Sequence, residues 1–158
     1  MKKQLVYLMC LLLCASVSFA QSKQKSTAKP VPSAFEKVLN DIGFEYEKIS
    51  DSLAEIPVEG TNIPTIKVRL GKVDDLYIVY FNLTKALPGK LDATKYQYLL
   101  EKNNLFDVVK ISLDKADKAQ DFFYIRAEVY AYGAKAANLK RIVIQVADAA
   151  DIIAGELK

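Results

Sequence analysis

Residues 34–158 predict an α+β domain: an antiparallel sheet of about five strands packed by helices, in the order α-β-β-β-α-β-β-α. Three observations predict it. The spacing of apolar residues switches repeatedly between the three-to-four step of a helix and the two-step of a strand. Glycine, proline and aspartate punctuate the switches. The length suits one domain, and no repeat or second linker divides it.

The first element is a helix. Ser33 and Glu36 have the S-x-x-E spacing of a capping box, Phe35, Val38, Leu39 and Ile42 make one apolar stripe, and Gly43 supplies a left-handed end. Strands follow. Phe44 to Ile49 is short and half polar; Thr65 to Leu70 alternates, with Ile66, Val68 and Leu70 on one face; Leu76 to Leu83 is apolar on both faces and should be central. Gly71 to Asp75 joins the last two as a hairpin. Between them and the first strand, Leu53 to Val58 is an apolar piece whose pairing the pattern leaves open; Pro57 suits it to an edge.

Leu87-Pro88-Gly89-Lys90 breaks the sheet, and Asp92 caps a second helix, with Leu91 facing Tyr96 as a hydrophobic staple and Tyr96, Leu99 and Leu100 on its buried side. Leu105 to Leu113 returns to alternation and groups Val109, Ile111 and Leu113. Asp114 to Gln120 makes a charged turn into the longest strand, Asp121 to Tyr132. One face of that strand carries Phe123, Ile125, Ala127, Val129 and Ala131, small enough in part to let a helix lie close. The other carries Phe122, Tyr124, Arg126, Glu128, Tyr130 and Tyr132. The last helix starts between Ala134 and Asn138, buries Leu139, Ile142, Val143, Val146, Ala150 and Ile153, and ends near Gly155. Ile144 and Ile152 fall outside its stripe, which makes them candidates for a dimer contact or isolated surface aliphatics.

This element order, with the segment Leu99-Leu100-Glu101-Lys102-Asn103-Asn104-Leu105-Phe106-Asp107-Val108-Val109-Lys110-Ile111-Ser112-Leu113-Asp114, resembles the YbjN family of proposed bacterial sensory-transduction regulators, whose fold is similar to that of type III secretion chaperones. The resemblance spans most of residues 34–156 and rests on topology and a soft pattern of apolar, Asn and Asp positions. It implies an antiparallel sheet with helices packed on it, a tendency to dimerise, and polypeptide contact. It implies no active-site residues. Fold alone does not fix function.

Lys2 and Lys3, then the apolar run Leu5 to Leu13, then Ser18-Phe19-Ala20 have the three-part pattern of an export signal at 1–20, with a cut expected before Gln21. Ser16 and Ser18 interrupt the run short of a membrane span, so no stable membrane insertion is expected after cleavage. Neither Cys10, after Met9, nor Cys14, after Leu13, follows the small residue a lipoprotein signal needs. Residues 21–33 are polar, basic and proline-containing, a flexible tether whose Lys23, Lys25 and Lys29 face solvent or touch an anionic surface. The expected location is periplasmic or extracellular.

Removing Lys2, Lys3, Lys23, Lys25 and Lys29 from the overall balance of +3 leaves a domain near −2, with Arg69, Arg126 and Arg141 scattered along it. No nucleic-acid partner is expected. Both cysteines lie in the export signal and the chain has no histidine, which removes Ser/His and Cys/His nucleophiles and the usual zinc sites. Asp114, Asp117 and Asp121 lack calcium-loop spacing and read as a solvated turn. Asp74 and Asp75 read as turn residues. Glu45 and Glu47 share a strand face, but alternating charge on a short strand reads as its solvent side rather than a hydrolase pair. The six glycines make no phosphate-binding loop. Asn82-Leu83-Thr84 is a chance-level glycosylation match. Hence no catalytic residue, no cofactor and no metal is expected.

What remains is the outward face of the longest strand. Phe122, Tyr124, Arg126, Tyr130 and Tyr132 mix apolar area, hydrogen bonding and planar stacking, as protein contacts do; the same aromatics also suit cross-strand packing beneath a further layer. The function expected is an exported, non-enzymatic module that binds a polypeptide partner or a second copy of itself on the sheet face. The alternative is a small-molecule or glycan binder.

Overall fold

The computed structural model describes residues 31–87, 92–117 and 120–157, with backbone only at 115–117 and 120–121. The expected export signal, most of the tether, the staple from Leu91, Pro88 to Lys90 and the tip of the charged turn lie outside the described residues. So do the side chains of Asp117 and Asp121.

Helix α1 (Ala34–Ile42) begins with the expected capping box. The Ser33 hydroxyl accepts from the Glu36 N–H at 3.1 Å, and the Glu36 carboxylate accepts from the Ser33 N–H at 2.9 Å. Gly43, at φ 76°, closes it in the left-handed region. Phe35, Leu39 and Ile42 are buried.

Six strands form one antiparallel sheet: β1 (Glu47–Ser50), β2 (Leu53–Glu59), β3 (Thr65–Val73), β4 (Leu76–Asn82), β5 (Lys110–Asp117) and β6 (Gln120–Tyr130), in the order β1-β2-β3-β4-β6-β5. The expectation of about five strands is thus short by one. Leu53 to Val58 is a strand, and an interior one rather than the expected edge. Pro57 is tolerated there because the β1 ladder begins with Glu47 opposite Glu55, so no β1 residue pairs with Pro57, while Lys67 of β3 lies on its other side. Phe44 and Tyr46 precede β1 and pack on the core instead of pairing. The hairpin turn is tighter than Gly71 to Asp75: β3 runs on to Val73, opposite Leu76, and Asp74 takes the turn at φ 48°. Aspartate tolerates that conformation better than most side chains.

A 3-10 turn (Leu83–Lys85) leads from β4 towards α2 (Ala93–Asn103). Asp92 caps α2 by accepting from the Lys95 N–H at 2.9 Å. Leu99 is buried, but Leu100 points to solvent, 69% exposed, and Tyr98 takes the inner position. Leu105, 71% exposed, lies before β5 rather than in it. Strands β5 and β6 are longer than expected at their shared turn, and β6 stops at Tyr130, two residues early. Helix α3 (Ala136–Glu156) runs through Gly155, which is no terminator: a side-chain carbon there would lie 2.5 Å from the Asn62 amide nitrogen, so glycine admits a close crossing.

The core lies between one sheet face and the helices. Ile66, Val68 and Leu70 of β3, Tyr77, Val79 and Phe81 of β4, and Phe123, Ile125 and Ala127 of β6 point inward. Against them α3 sets Leu139, Ile142, Val143, Val146, Ala150 and Ile153, all buried as expected, with Ala147 and Ala154 allowing close approach. Fully burying each Leu, Ile or Val contributes roughly 1.5–3 kcal/mol. Helix α1 packs on α3, and α2 reaches the same sheet face through the Tyr96 and Phe123 rings, 5.3 Å apart edge to face. No helix among the described residues is long and apolar enough to cross a membrane.

Candidate functional site: the open face of the sheet

Strand alternation sends every second residue to the face opposite the helices. Register then builds a continuous row across all six strands. Glu47 lies opposite Glu55, Glu55 opposite Arg69, Arg69 opposite Tyr80, Tyr80 opposite Arg126 and Arg126 opposite Lys110. One step along, Asn82 faces Tyr124 and Tyr124 faces Ser112.

At the diagonal between these rows the Tyr80 and Tyr124 rings meet edge to face, with centroids 5.9 Å apart at 75°. This pair is a ridge with a groove on each side. The first groove, about 350 Å³, includes Glu55, Lys67, Arg69, Asn82 and Lys85 in its lining. The second, about 480 Å³, includes Ile78, Ser112, Asp114 and Arg126. Both tyrosines line both grooves.

Local chemistry holds the first groove in shape. The Glu55 carboxylate accepts from Lys67 Nζ at 2.8 Å and from Arg69 Nε at 3.2 Å. Hydrogen bonding to Lys67 holds the Glu55 carboxyl below its usual value, against desolvation, with Arg69 adding to the effect; Lys67 is raised in return by the same bond. The neighbouring Tyr80 hydroxyl and the Glu55 carboxylate favour the charged form of Arg69. The turn that carries Lys85 is anchored by its neighbour: the Thr84 hydroxyl accepts from the Phe123 N–H at 2.6 Å and ties the 3-10 turn to β6. Ile63, on the opposite wall, is held by Asp151 of α3, whose carboxylate accepts from the N–H groups of Thr61 at 3.0 Å, Asn62 at 2.7 Å and Ile63 at 2.8 Å. The Asn82 amide oxygen is sealed from solvent and has no hydrogen-bond partner among the described residues.

The structure brings together only part of the expected surface. Tyr124 and Arg126 sit at the grooves, and Arg126 pairs with Glu128 at 3.2 Å. Phe122 is half-buried opposite Asp114 at the β5 edge. Tyr130, 73% exposed, lies at the far end of the face opposite Leu76, and Tyr132, 97% exposed, is beyond the strand altogether. Ile144 and Ile152 do lie on the outer side of α3, half-exposed, away from the open face. Ile152 joins Leu105 and Val108 in lining a small groove of about 240 Å³ with no tyrosine or cation in its lining. Missed from the sequence were Tyr80, Arg69, Lys67 and Lys85. Alternation alone places Tyr80, Arg69 and Lys67 on outward positions, but only the β3-β4-β6 register reveals that they meet Tyr124. Glu45 and Glu47 line a shallow groove on β1 and β2 with Glu55 and Lys67. Among the described residues no group of three or more Asp and Glu is placed to hold a metal ion.

No protein-family model matches the chain, and no curated protein matches it in sequence. Its fold does have solved counterparts. The type III secretion chaperone SycH of Yersinia pestis, crystallised with a stable fragment of YscM2, is 17% identical and superposes over 78% of this chain and 96% of its own with a TM-score of 0.44. YbjN of E. coli, described as a proposed transcription regulator, is 12% identical and superposes over 80% of this chain and 90% of its own with a TM-score of 0.50. The α+β architecture expected from the sequence is therefore present, and the chain has a YbjN-like fold.

Proposed function

We propose that the protein is a non-enzymatic binding module that holds a polypeptide partner on the open face of its sheet. The observation that carries this reading is the Tyr80 and Tyr124 ridge between two grooves, on a face that the three described helices leave uncovered. Small-molecule pockets enclose most of their ligand. These grooves lie open along the face, so an extended chain gains contact on both sides of the ridge where a compact ligand would stay largely in water. Tyrosine and arginine at the centre match the residues that dominate protein contacts.

A photo-crosslinking residue at position 124, compared with one at Lys37 on α1, tests it in the native cell. A polypeptide adduct from position 124 and none from position 37 is expected. Adducts of a few hundred daltons, or equal polypeptide adducts from both positions, would overturn it. We further propose export: residues 1–20 direct it and are removed, so protein isolated from its native cell is expected to begin at Gln21 on N-terminal sequencing. An intact Met1 terminus on the mature protein would overturn that.

A further inference from the structure

The first groove has a charge imbalance that the second lacks. Lys67, Arg69 and Lys85 line it, and Glu55 is the acidic side chain in its lining. That one carboxylate is shared between Lys67 and Arg69. Lys85 makes no ion pair among the described residues. In the second groove, by contrast, Asp114 offsets Arg126, which also pairs with Glu128. The lining of the first groove is thus cationic and that of the second balanced, with Glu47 of β1 near Lys67 at the outer end of the first, although the domain as a whole is slightly acidic.

Resting on the sheet-face reading, we propose that the first groove is an anion subsite that takes an aspartate or glutamate side chain of the bound polypeptide. Lys85 and the edge of the Lys67 and Arg69 pair face the carboxylate, while Tyr80 and Tyr124 flank the partner's backbone. Three features support this occupant over a free anion. The groove opens against an aromatic ridge, which gives a simple anion nothing to pack on and gives a neighbouring peptide side chain an apolar wall. Ile63 and Ala86 line the same groove and extend the apolar wall for side chains next to the bound carboxylate. Two of the cations are held before binding, since Glu55 orients Lys67 and Arg69, and the Thr84 bond anchors the backbone of the turn that carries Lys85.

The test uses the purified full chain and fluorescence anisotropy of a short labelled peptide alternating glutamate with leucine, against the same peptide with lysine for glutamate. The acidic peptide is expected to bind at least about tenfold more tightly, and the preference to shrink as salt rises from tens to hundreds of millimolar. Lys85→Glu is expected to remove the preference and Lys85→Arg to keep it; Lys85 is exposed, so both variants are expected to keep the parent's melting temperature. Equal binding of the two peptides, or a preference that survives Lys85→Glu, overturns the subsite. Displacement of the acidic peptide by inorganic phosphate at constant ionic strength overturns its assignment to a polypeptide. If position 124 still cross-links a polypeptide when these tests fail, the sheet-face reading stands and the subsite alone falls; if no polypeptide cross-links there, both fall.

Discussion

Asp151 joins the last helix to the loop between β2 and β3, and three consecutive backbone N–H groups converge on its carboxylate. Gly60 makes room for it: a side-chain carbon at that position would lie 2.6 Å from the carboxylate. Desolvation pushes the Asp151 carboxyl up, but the bonds from Ile63, Thr61 and Asn62 outweigh it and leave the carboxyl below its ordinary value of 3.8. A carboxyl depressed by folding stabilises the fold fully above its unfolded value and loses that contribution as pH falls through its folded value. Thermal stability is therefore expected to fall below about pH 4, and Asp151→Ala, which leaves three N–H groups without their acceptor, is expected to cost about 2 kcal/mol at neutral pH and flatten the acid limb of the stability profile. An unchanged acid limb in a melting series would show that the loop is held by other means. Gly155 poses the opposite contest. Helix propensity favours Gly155→Ala by about 1 kcal/mol, but the added carbon would meet Asn62, which donates to the Asp151 carbonyl at 3.1 Å and so is not free to swing away. Crowding costs about 1–3 kcal/mol, so the variant is expected to melt lower than the parent.

At the scale of elements, the helix ends carry local, testable chemistry. Ser33→Ala removes one half of the capping box and is expected to lower stability by about 1 kcal/mol in denaturant titration, whereas Ser33→Asp, which can still accept from the Glu36 N–H, is expected to lose little. Such signals are written in neighbouring residues, which is why α1, with its cap, its stripe and its glycine, and the buried stripe of α3 were legible in the sequence. The inward residues of β3, β4 and β6 were legible for the same reason, since alternation is local. Whatever depends on a distant partner was not. Pro57 reads as an edge marker until the short β1 is placed beside β2, and Gly155 reads as a helix end until Asn62 is placed beside it. Leu100 shares the helical spacing of Tyr96 and Leu99, but α2 rests on the sheet by a narrow side, which leaves Leu100 in solvent. The candidate site suffers most from this. Tyr124 and Arg126 stand out in the longest strand, yet Tyr80, Arg69 and Lys67 become part of the same surface only through the pairing of three strands, and Lys85 only through the Thr84 bond.

The molecule as a whole divides its two tasks between the two faces of one sheet. The inner face is close-packed against α3 and α2, and truncation there is expensive: Leu70→Ala, at a fully buried position, is expected to cost about 2–5 kcal/mol. The outer face carries an aromatic pair whose mutual contact is worth only about 0.5–1.5 kcal/mol, and whose rings are half-buried. A protein that used its tyrosines mainly to stabilise the sheet would lose stability and binding together when they are cut back. Here the two are expected to separate. Tyr80→Ser with Tyr124→Ser is expected to leave cooperative unfolding intact, with a loss of stability smaller than that of Leu70→Ala, while abolishing cross-linking of a partner through a probe moved to position 126 on the same face. The reverse pattern, a collapsed melting temperature with partner capture retained, would assign the ridge to the architecture of the sheet and move the search for the binding surface to the groove beside Ile152 on α3.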